Sequence, residues 1–171
     1  MTICVVIGSR ADEGGLLWPI KLLREDPWFD VTVTHVTKDE YIGGDQEIVL
    51  LLGDRWEVLY AAIDAHLARV PIAHIAGGDR TEGSYDDAMR DCISRLATIH
   101  FVTNEQALAR LLAMGYANVH LVGSPGIDYI KHGDWRTGRP YSEPYVVVSY
   151  QPETIDGTNE MPAVLASLPE Q

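Results

Sequence analysis

The sequence predicts an α/β fold, a Rossmann-like doubly wound parallel sheet, and three observations predict it. Strand-length apolar runs alternate with amphipathic segments over residues 1–132. Ile3–Ile7, Ile48–Leu52 and Ile72–Ile75 are apolar almost throughout, as parallel strands covered on both faces are. Glycine, acidic and basic residues follow these runs, as in Gly8-Ser9-Arg10, Gly53-Asp54-Arg55-Trp56-Glu57 and Gly77 to Gly83, and Gly123-Ser124-Pro125 follows a later one. A parallel sheet offers its ligand the crevice beyond the carboxyl ends of its strands.

Ile3–Ile7 is β-branched and stopped by Gly8, a buried strand. Gly15–Glu25 places Leu16, Leu17, Ile20 and Leu23 on one face, an amphipathic helix closed near Pro27. Val31–Val36 alternates Val31, Val33 and His35 with threonines, a strand with one wetter face near the sheet edge. Ile48–Leu52 is the most hydrophobic run, predicted to be central and to neighbour Ile3–Ile7. The link Thr37–Glu47 has only 11 residues, whereas a parallel crossover usually takes a dozen or more and a helix. Either an extended loop carries the chain back across the sheet, or the pairing is unusual.

Helix Trp56–Ala68 gathers Trp56, Leu59, Ile63 and Leu67 on one apolar stripe. After strand Ile72–Ile75, a helix from Tyr85 to Leu96 is predicted with Ala88, Met89, Cys92, Ile93 and Leu96 inward. Ile99–Val102 is a strand, and Thr103 with Gln106 fits a capping box for a helix ending at Gly115. Val119–Val122 is the last strand, with a short helix at Gly126–His132. Residues 133–144 read as a linker, and Tyr145–Tyr150 as a buried strand opening a truncated remnant of a second domain over residues 145–171.

A net charge of −12 with no basic cluster weighs against nucleic acid or an anionic membrane as partner, because both are bound first through Lys and Arg. A small anion remains admissible, since it needs only a local Arg or a helix N-terminus. No apolar run approaches the roughly 20 residues that span a bilayer, and the start lacks the basic leader of a signal peptide. The expectation is a cytoplasmic protein. Cys4 and Cys92 lack metal-site spacing and are expected as buried reduced thiols, with a disulfide between them as the alternative.

Gly8-Ser9-Arg10 opens the first helix, where backbone N–H groups and an arginine hold an anion, or simply make a tight turn. Neither GxGxxG nor GxxxxGK[ST] is present, which argues against a Rossmann dehydrogenase or a P-loop enzyme. Asp54 ends the predicted central strand between Arg55 and Glu57. It suits general acid–base chemistry, and equally the N-cap of the next helix. His74 interrupts an apolar strand and reads either as a satisfied core histidine or as a site residue. Asp79, Arg80, Thr81, Glu82, Asp86, Asp87 and Arg90 then fall within 12 residues, a density that needs cations or a ligand to offset repulsion. Acids decorating a helix N-terminus are the alternative. Arg10, Asp54, His74, Asp79, Arg80, Asp86 and Arg90 are expected to line one cleft.

The wording and order of these clusters resemble the hydrolysing UDP-N-acetylglucosamine 2-epimerases, closest to the branch that feeds sialic-acid-type sugars. The residues that carry the resemblance are Gly8-Ser9-Arg10-Ala11-Asp12, Gly53-Asp54-Arg55 with Glu57, His74-Ile75-x-Gly77-Gly78 with Thr81-Glu82-Gly83 and Asp86-Asp87, and Gly123-Ser124-Pro125 with Asp128. The resemblance implies the N-terminal domain of a GT-B-type protein that holds a nucleotide-sugar between two halves. It implies elimination of UDP by removal of the C2 proton, then hydration of the glycal, with Asp54 and Asp86 as the acid–base carboxylates. Gly8, Arg10, Arg55, Glu57, His74, Asp79, Arg80, Thr81, Arg90 and Ser124 become the implied substrate-binding set, with neither cofactor nor metal. A homodimer is expected from the orphan strand Tyr145–Tyr150. Three departures stand against this: Ala76 where a catalytic Glu is frequent, Gln151 where a His is expected, and the absence of nearly all of the UDP-binding half. The alternative is a stand-alone module that sequesters a nucleotide or nucleotide-sugar, or hydrolyses a glycosidic bond.

Overall fold

The computed structural model describes residues 1–36, 45–133, 143–150, 154–155 and 160–167. Six strands form one parallel sheet: β1 (Thr2–Ile7), β2 (Asp30–His35), β3 (Ile48–Leu52), β4 (Ile72–Ile75), β5 (Ile99–Val102) and β6 (Val119–Leu121). Their order is β2-β1-β3-β4-β5-β6. Val5 of β1 lies between Val33 of β2 and Leu50 of β3, so the two most apolar runs are neighbours, as expected. The link between β2 and β3 thus returns the chain across β1 to an ordinary parallel pairing; its residues 37–44 lie outside those described. The chain leaves β1 toward β2 and resumes at β3 on the other side. A topological switch point therefore lies between β1 and β3, where such sheets bind ligands.

Helices cover both faces because side chains alternate along each strand. Cys4, Val6, Val49, Leu51 and Ile72 form one core with α2 (Trp56–Leu67) and α3 (Asp86–Leu96). Ile3, Val5, Ile7, Leu50, Ala73 and Ile75 form the other with α1 (Arg10–Glu25). Val102 packs with Ala107 and Leu111 of α4 (Glu105–Ala113). The short α5 (Pro125–His132) lies beside α1, with Trp18 stacked on His132.

Four expectations are corrected. α1 starts at Arg10 rather than Gly15, and Pro19 sits within it. In α2 the buried residues are Val58, Ala61, Ala62 and Ala65, so Trp56, Ile63 and Leu67 point outward. Small side chains let the helix lie close to the sheet. In α3 the buried set is Arg90, Ile93 and Ser94, while Ala88 and Cys92 are exposed; Cys4 alone is a buried thiol. The cap of α4 is Asn104, whose side chain accepts from the Ala107 amide, because Thr103 donates to Asp79 instead.

Tyr145–Tyr150 is irregular, with Val146 and Val147 exposed at 79% and 77%. The buried strand expected there does not form. Further on, the Thr154 amide donates to the Gly83 carbonyl at 2.8 Å, holding that point beside the loop before α3. The six-residue α6 (Met161–Ala166) has no buried residue. No helix among the described residues is long and apolar enough to cross a membrane.

Candidate active site

The turns after β1, β3 and β4 and the start of α3 converge at the carboxyl edge of the sheet. Gly8 follows β1 where the chain has no room for a side chain: a Cβ there would lie 2.6 Å from Val58 Cγ2 of α2. Ser9 donates to Asp12 at 3.1 Å within the first turn of α1. Gly53 takes φ +86°, a left-handed turn that suits glycine, and delivers Asp54 and Arg55 to the top of β3.

Arg90 organises the centre of the cluster. Its guanidinium donates to Asp54, to Asp87, to the Asp79 carbonyl at 2.7 Å and to Thr81 Oγ1 at 3.2 Å. One cation from α3 thereby ties β3 to the loop after β4. Burial pushes the Asp54 carboxyl above its ordinary range; Arg90 pulls it back, and the neighbouring charges of Asp86 and Asp87 push it up again. Asp86 accepts from Ser84 at 3.0 Å. Asp12, raised by burial, lies within electrostatic reach of Asp54 and Arg55. A half-buried carboxyl kept protonated further up the pH scale than usual is suited to giving and taking protons.

The remaining expected residues flank this centre. Arg55 forms a two-pronged pair with Glu57 (3.0 and 3.2 Å). Arg80 grips Asp91 in the same way (2.9 and 3.0 Å). Asp79 accepts from Thr103 at 2.7 Å and Asn104 at 2.9 Å. Asp79, Arg80, Thr81, Arg90, Asn104 and Arg110 contribute to the lining of a polar cavity of about 360 Å³. Ser124 occupies the N-cap position of α5 without a side-chain capping bond.

Two expected residues are not brought into the cluster. Arg10 is exposed on the first turn of α1 and makes no hydrogen bond or ion pair with the described residues. His74 is fully buried, so it does not line the cleft. Its Nε2 lies 2.8 Å from the Gly53 carbonyl, which can only accept, so Nε2 carries the proton and Nδ1 accepts from Ser94 Oγ at 3.0 Å. Burial holds its pKa at about 4, leaving a neutral strut beneath the Asp54 turn. Asn104 and Arg110 line the polar cavity although sequence reasoning did not name them, while Asp12 and Asp87, named there only within motifs or the charged cluster, reach Asp54 electrostatically. Asp87 was readable from its place three residues before Arg90 on α3. Arg110, which donates to the Gly78 carbonyl, carries no sequence signal because only the packing of α4 brings it there.

Fold and site together define a doubly wound α/β domain with a cluster of carboxylates and arginines at the carboxyl edge of its sheet. The family model described as UDP-N-acetylglucosamine 2-epimerase matches residues 35–170, and the chain belongs to this family. It is 40% identical over 101 residues to the UDP-N,N'-diacetylbacillosamine 2-epimerase (hydrolyzing) of Legionella pneumophila, a match covering 58% of this chain and 26% of that one. It is 39% identical over 101 residues to the UDP-N-acetylglucosamine 2-epimerase of Neisseria meningitidis, covering 57% and 26%. Among solved structures, the fold matches the Neisseria meningitidis UDP-GlcNAc 2-epimerase bound to UDP-GlcNAc with a TM-score of 0.69 at 18% identity, over 77% of this chain and 49% of that one. It also matches the Methanocaldococcus jannaschii enzyme with a TM-score of 0.65 at 17% identity, over 75% and 47%. The chain thus spans about a quarter of the curated relatives and about half of the solved ones.

Proposed function

We propose that this chain forms the acid–base half of a nucleotide-sugar site of the hydrolysing 2-epimerase kind. The carrying observation is Asp54: half-buried, raised above an ordinary carboxylate, tied to Arg90 and within electrostatic reach of Asp86 at the switch point. In this reading one carboxylate removes the proton from C2 of the sugar. The C–H electron pair becomes the C1–C2 double bond, and the C1–O bond breaks with its electrons leaving on UDP. Water then adds to C1 while the other carboxyl returns a proton to C2 from the opposite face. UDP-N-acetylglucosamine and water become UDP and N-acetylmannosamine.

Charge sets the division of labour. Arg55, Arg80, Arg90 and Arg110 are already engaged by carboxylates or carbonyls of the chain. Arg10 alone among the site arginines makes no hydrogen bond or ion pair with the described residues. A diphosphate therefore needs cations beyond those described, whereas hydroxyls and proton transfer suit what is present. That same engagement favours a second reading, a module that binds the sugar without turning it over.

Proton NMR in deuterium oxide with UDP-N-acetylglucosamine separates the two. Turnover shows as released UDP and deuterium at C2, and Asp54→Asn or Asp86→Asn lowers it by about 10²–10⁴-fold in a folded protein. Binding without release, altered by the same substitutions, selects the second reading. Wild-type behaviour in both variants sinks the site. The proposal also includes a homodimer and a cytoplasmic location, to be checked by sedimentation and cell fractionation.

A further inference from the structure

Helix α3 reaches the Asp54 turn twice. Arg90 binds the Asp54 carboxylate directly, and Ser94 follows four residues later on the same face of the helix. A serine within a helix commonly turns its hydroxyl back to the carbonyl four residues earlier. Ser94 instead meets the Nδ1 of His74 at 3.0 Å, and both side chains are fully buried. The Nε2 of the same ring donates to the Gly53 carbonyl at 2.8 Å. A directed chain of hydrogen bonds thus runs from α3 through β4 to the residue before Asp54.

Gly53 is held by β4 at both ends of its backbone. Its amide donates to the Ile75 carbonyl at 3.1 Å, and its carbonyl accepts from His74, the residue before Ile75. Glycine at φ +86° has little steric restraint of its own, so these bonds fix the peptide that aims Asp54. With one nitrogen bonded, the ring could pivot about that bond; with both bonded, its orientation is set. We propose that Ser94 is a positioning residue for Asp54, acting through the His74 ring on the Gly53 carbonyl. The role rests on the acid–base reading of Asp54 and deepens it.

A hydroxyl suits position 94 because it fills the ring nitrogen without bringing charge. A carboxylate there would draw a second proton onto the ring, whereas beside serine the ring stays a neutral donor to Gly53. The loop after β4 lies directly against this bond: a Cβ on Gly77 would sit 2.9 Å from both His74 Nδ1 and Ser94 Oγ. Buried in this way, Ser94 does not touch a ligand in the cleft, and its influence passes through the ring.

Nitrogen-15 NMR of histidine-labelled protein reads the ring, amide exchange reads Gly53, and turnover of UDP-N-acetylglucosamine reads Asp54. The wild-type ring is expected as the Nε2–H tautomer with Nδ1 hydrogen-bonded. Ser94→Ala should free Nδ1 and speed Gly53 exchange at least about tenfold, while the amides of Val49 and Leu51 keep wild-type rates. It should lower kcat about tenfold with KM little changed. Cys92→Ala, an exposed change on the same helix, should leave all of these as in wild type. His74→Leu removes the ring, and adding Ser94→Ala to it should change turnover no further. An Nδ1–H ring in wild type, an unaltered Gly53 amide in Ser94→Ala, an acceleration shared by Val49 and Leu51, or a full additional loss in the double variant overturns the proposal. If wild type gives no turnover, the catalytic reading fails by itself, and carbon-13 NMR of the Asp54 carboxyl replaces kcat. Burial raises that carboxyl, so a loosened, hydrated turn lowers its titration in Ser94→Ala; an unchanged titration overturns the proposal.

Discussion

Arg90 bonds to groups from three separate stretches of chain, and its removal is the sharpest test of how the site holds together. Arg90→Ala leaves Asp54 and Asp87 facing one another with no shared cation, and strips a donor from Asp79 and Thr81. Breaking a fully buried pair costs about 3–5 kcal/mol. Here the two carboxylates keep 22% and 25% exposure, so we expect about 2–3 kcal/mol in urea denaturation, and a loss near 0.5 kcal/mol would show that the cluster is mere surface. His74 makes a second test, through pH. Its folded pKa is about 4 against an ordinary 6.5, so between these values the unfolded chain binds a proton that the folded one refuses. Stability therefore falls as pH drops from 6.5 to 4 and the effect levels off below, an effect of order 3 kcal/mol from this one group. Denaturant midpoints should lose part of this slope in His74→Gln; an unaltered slope would mean that the ring is not held neutral. In the sequence His74 could be read as core or as site, and only its two bonds decide: it shapes the cleft from beneath.

Secondary elements were legible where one physical signal dominated. β1, β3 and β4 were readable because strands covered on both faces are apolar throughout, and that pattern also placed β1 beside β3. Helix α1 buries Leu16 and Ile20 as expected, whereas α2 and α3 were found in place but partly turned wrongly. For α2, hydrophobicity favours the stripe of Trp56, Ile63 and Leu67, yet close packing favours the small residues, and the alanine face won. For α3, an arginine and a serine take inward positions because Arg90 has carboxylates to meet and Ser94 meets His74. Periodicity alone cannot rank a polar residue with buried partners above an exposed Ala88 or Cys92. The cap of α4 moved from Thr103 to Asn104 for a similar reason, since Asp79 competes for the threonine hydroxyl. Ala76 is the residue of the site whose backbone no pattern foretold: it takes φ 64° at the end of β4, a costly conformation for a side chain, at the position where the resemblance led one to expect a carboxylate.

At the scale of the whole molecule, what remains is the relation of residues 144–171 to the rest. We propose the domain boundary of the sequence reading, with the α/β domain ending near residue 132. Its support is that the described residues beyond 143 bury almost nothing: Val146, Val147 and Ile155 are exposed, and α6 has no buried side chain. Apolar burial is what stabilises a domain, at about 25 cal/mol per Å², so a segment with little of it contributes little. Among the described residues, Thr154 meets the Gly83 carbonyl and the Tyr85 amide. Those two residues flank Ser84, which donates to Asp86, so the segment leans on the site rather than on the core. A chain ending at Glu143 should accordingly unfold at a urea midpoint within about 1 kcal/mol of the full chain, while its affinity for a UDP-sugar changes because the loop before Asp86 has lost its brace. Thr154→Val should reproduce the affinity change without altering stability. If truncation instead costs several kcal/mol, residues 144–171 are structurally part of the first domain and the boundary is wrong; if both affinities match wild type, the contact with Gly83 has no part in binding.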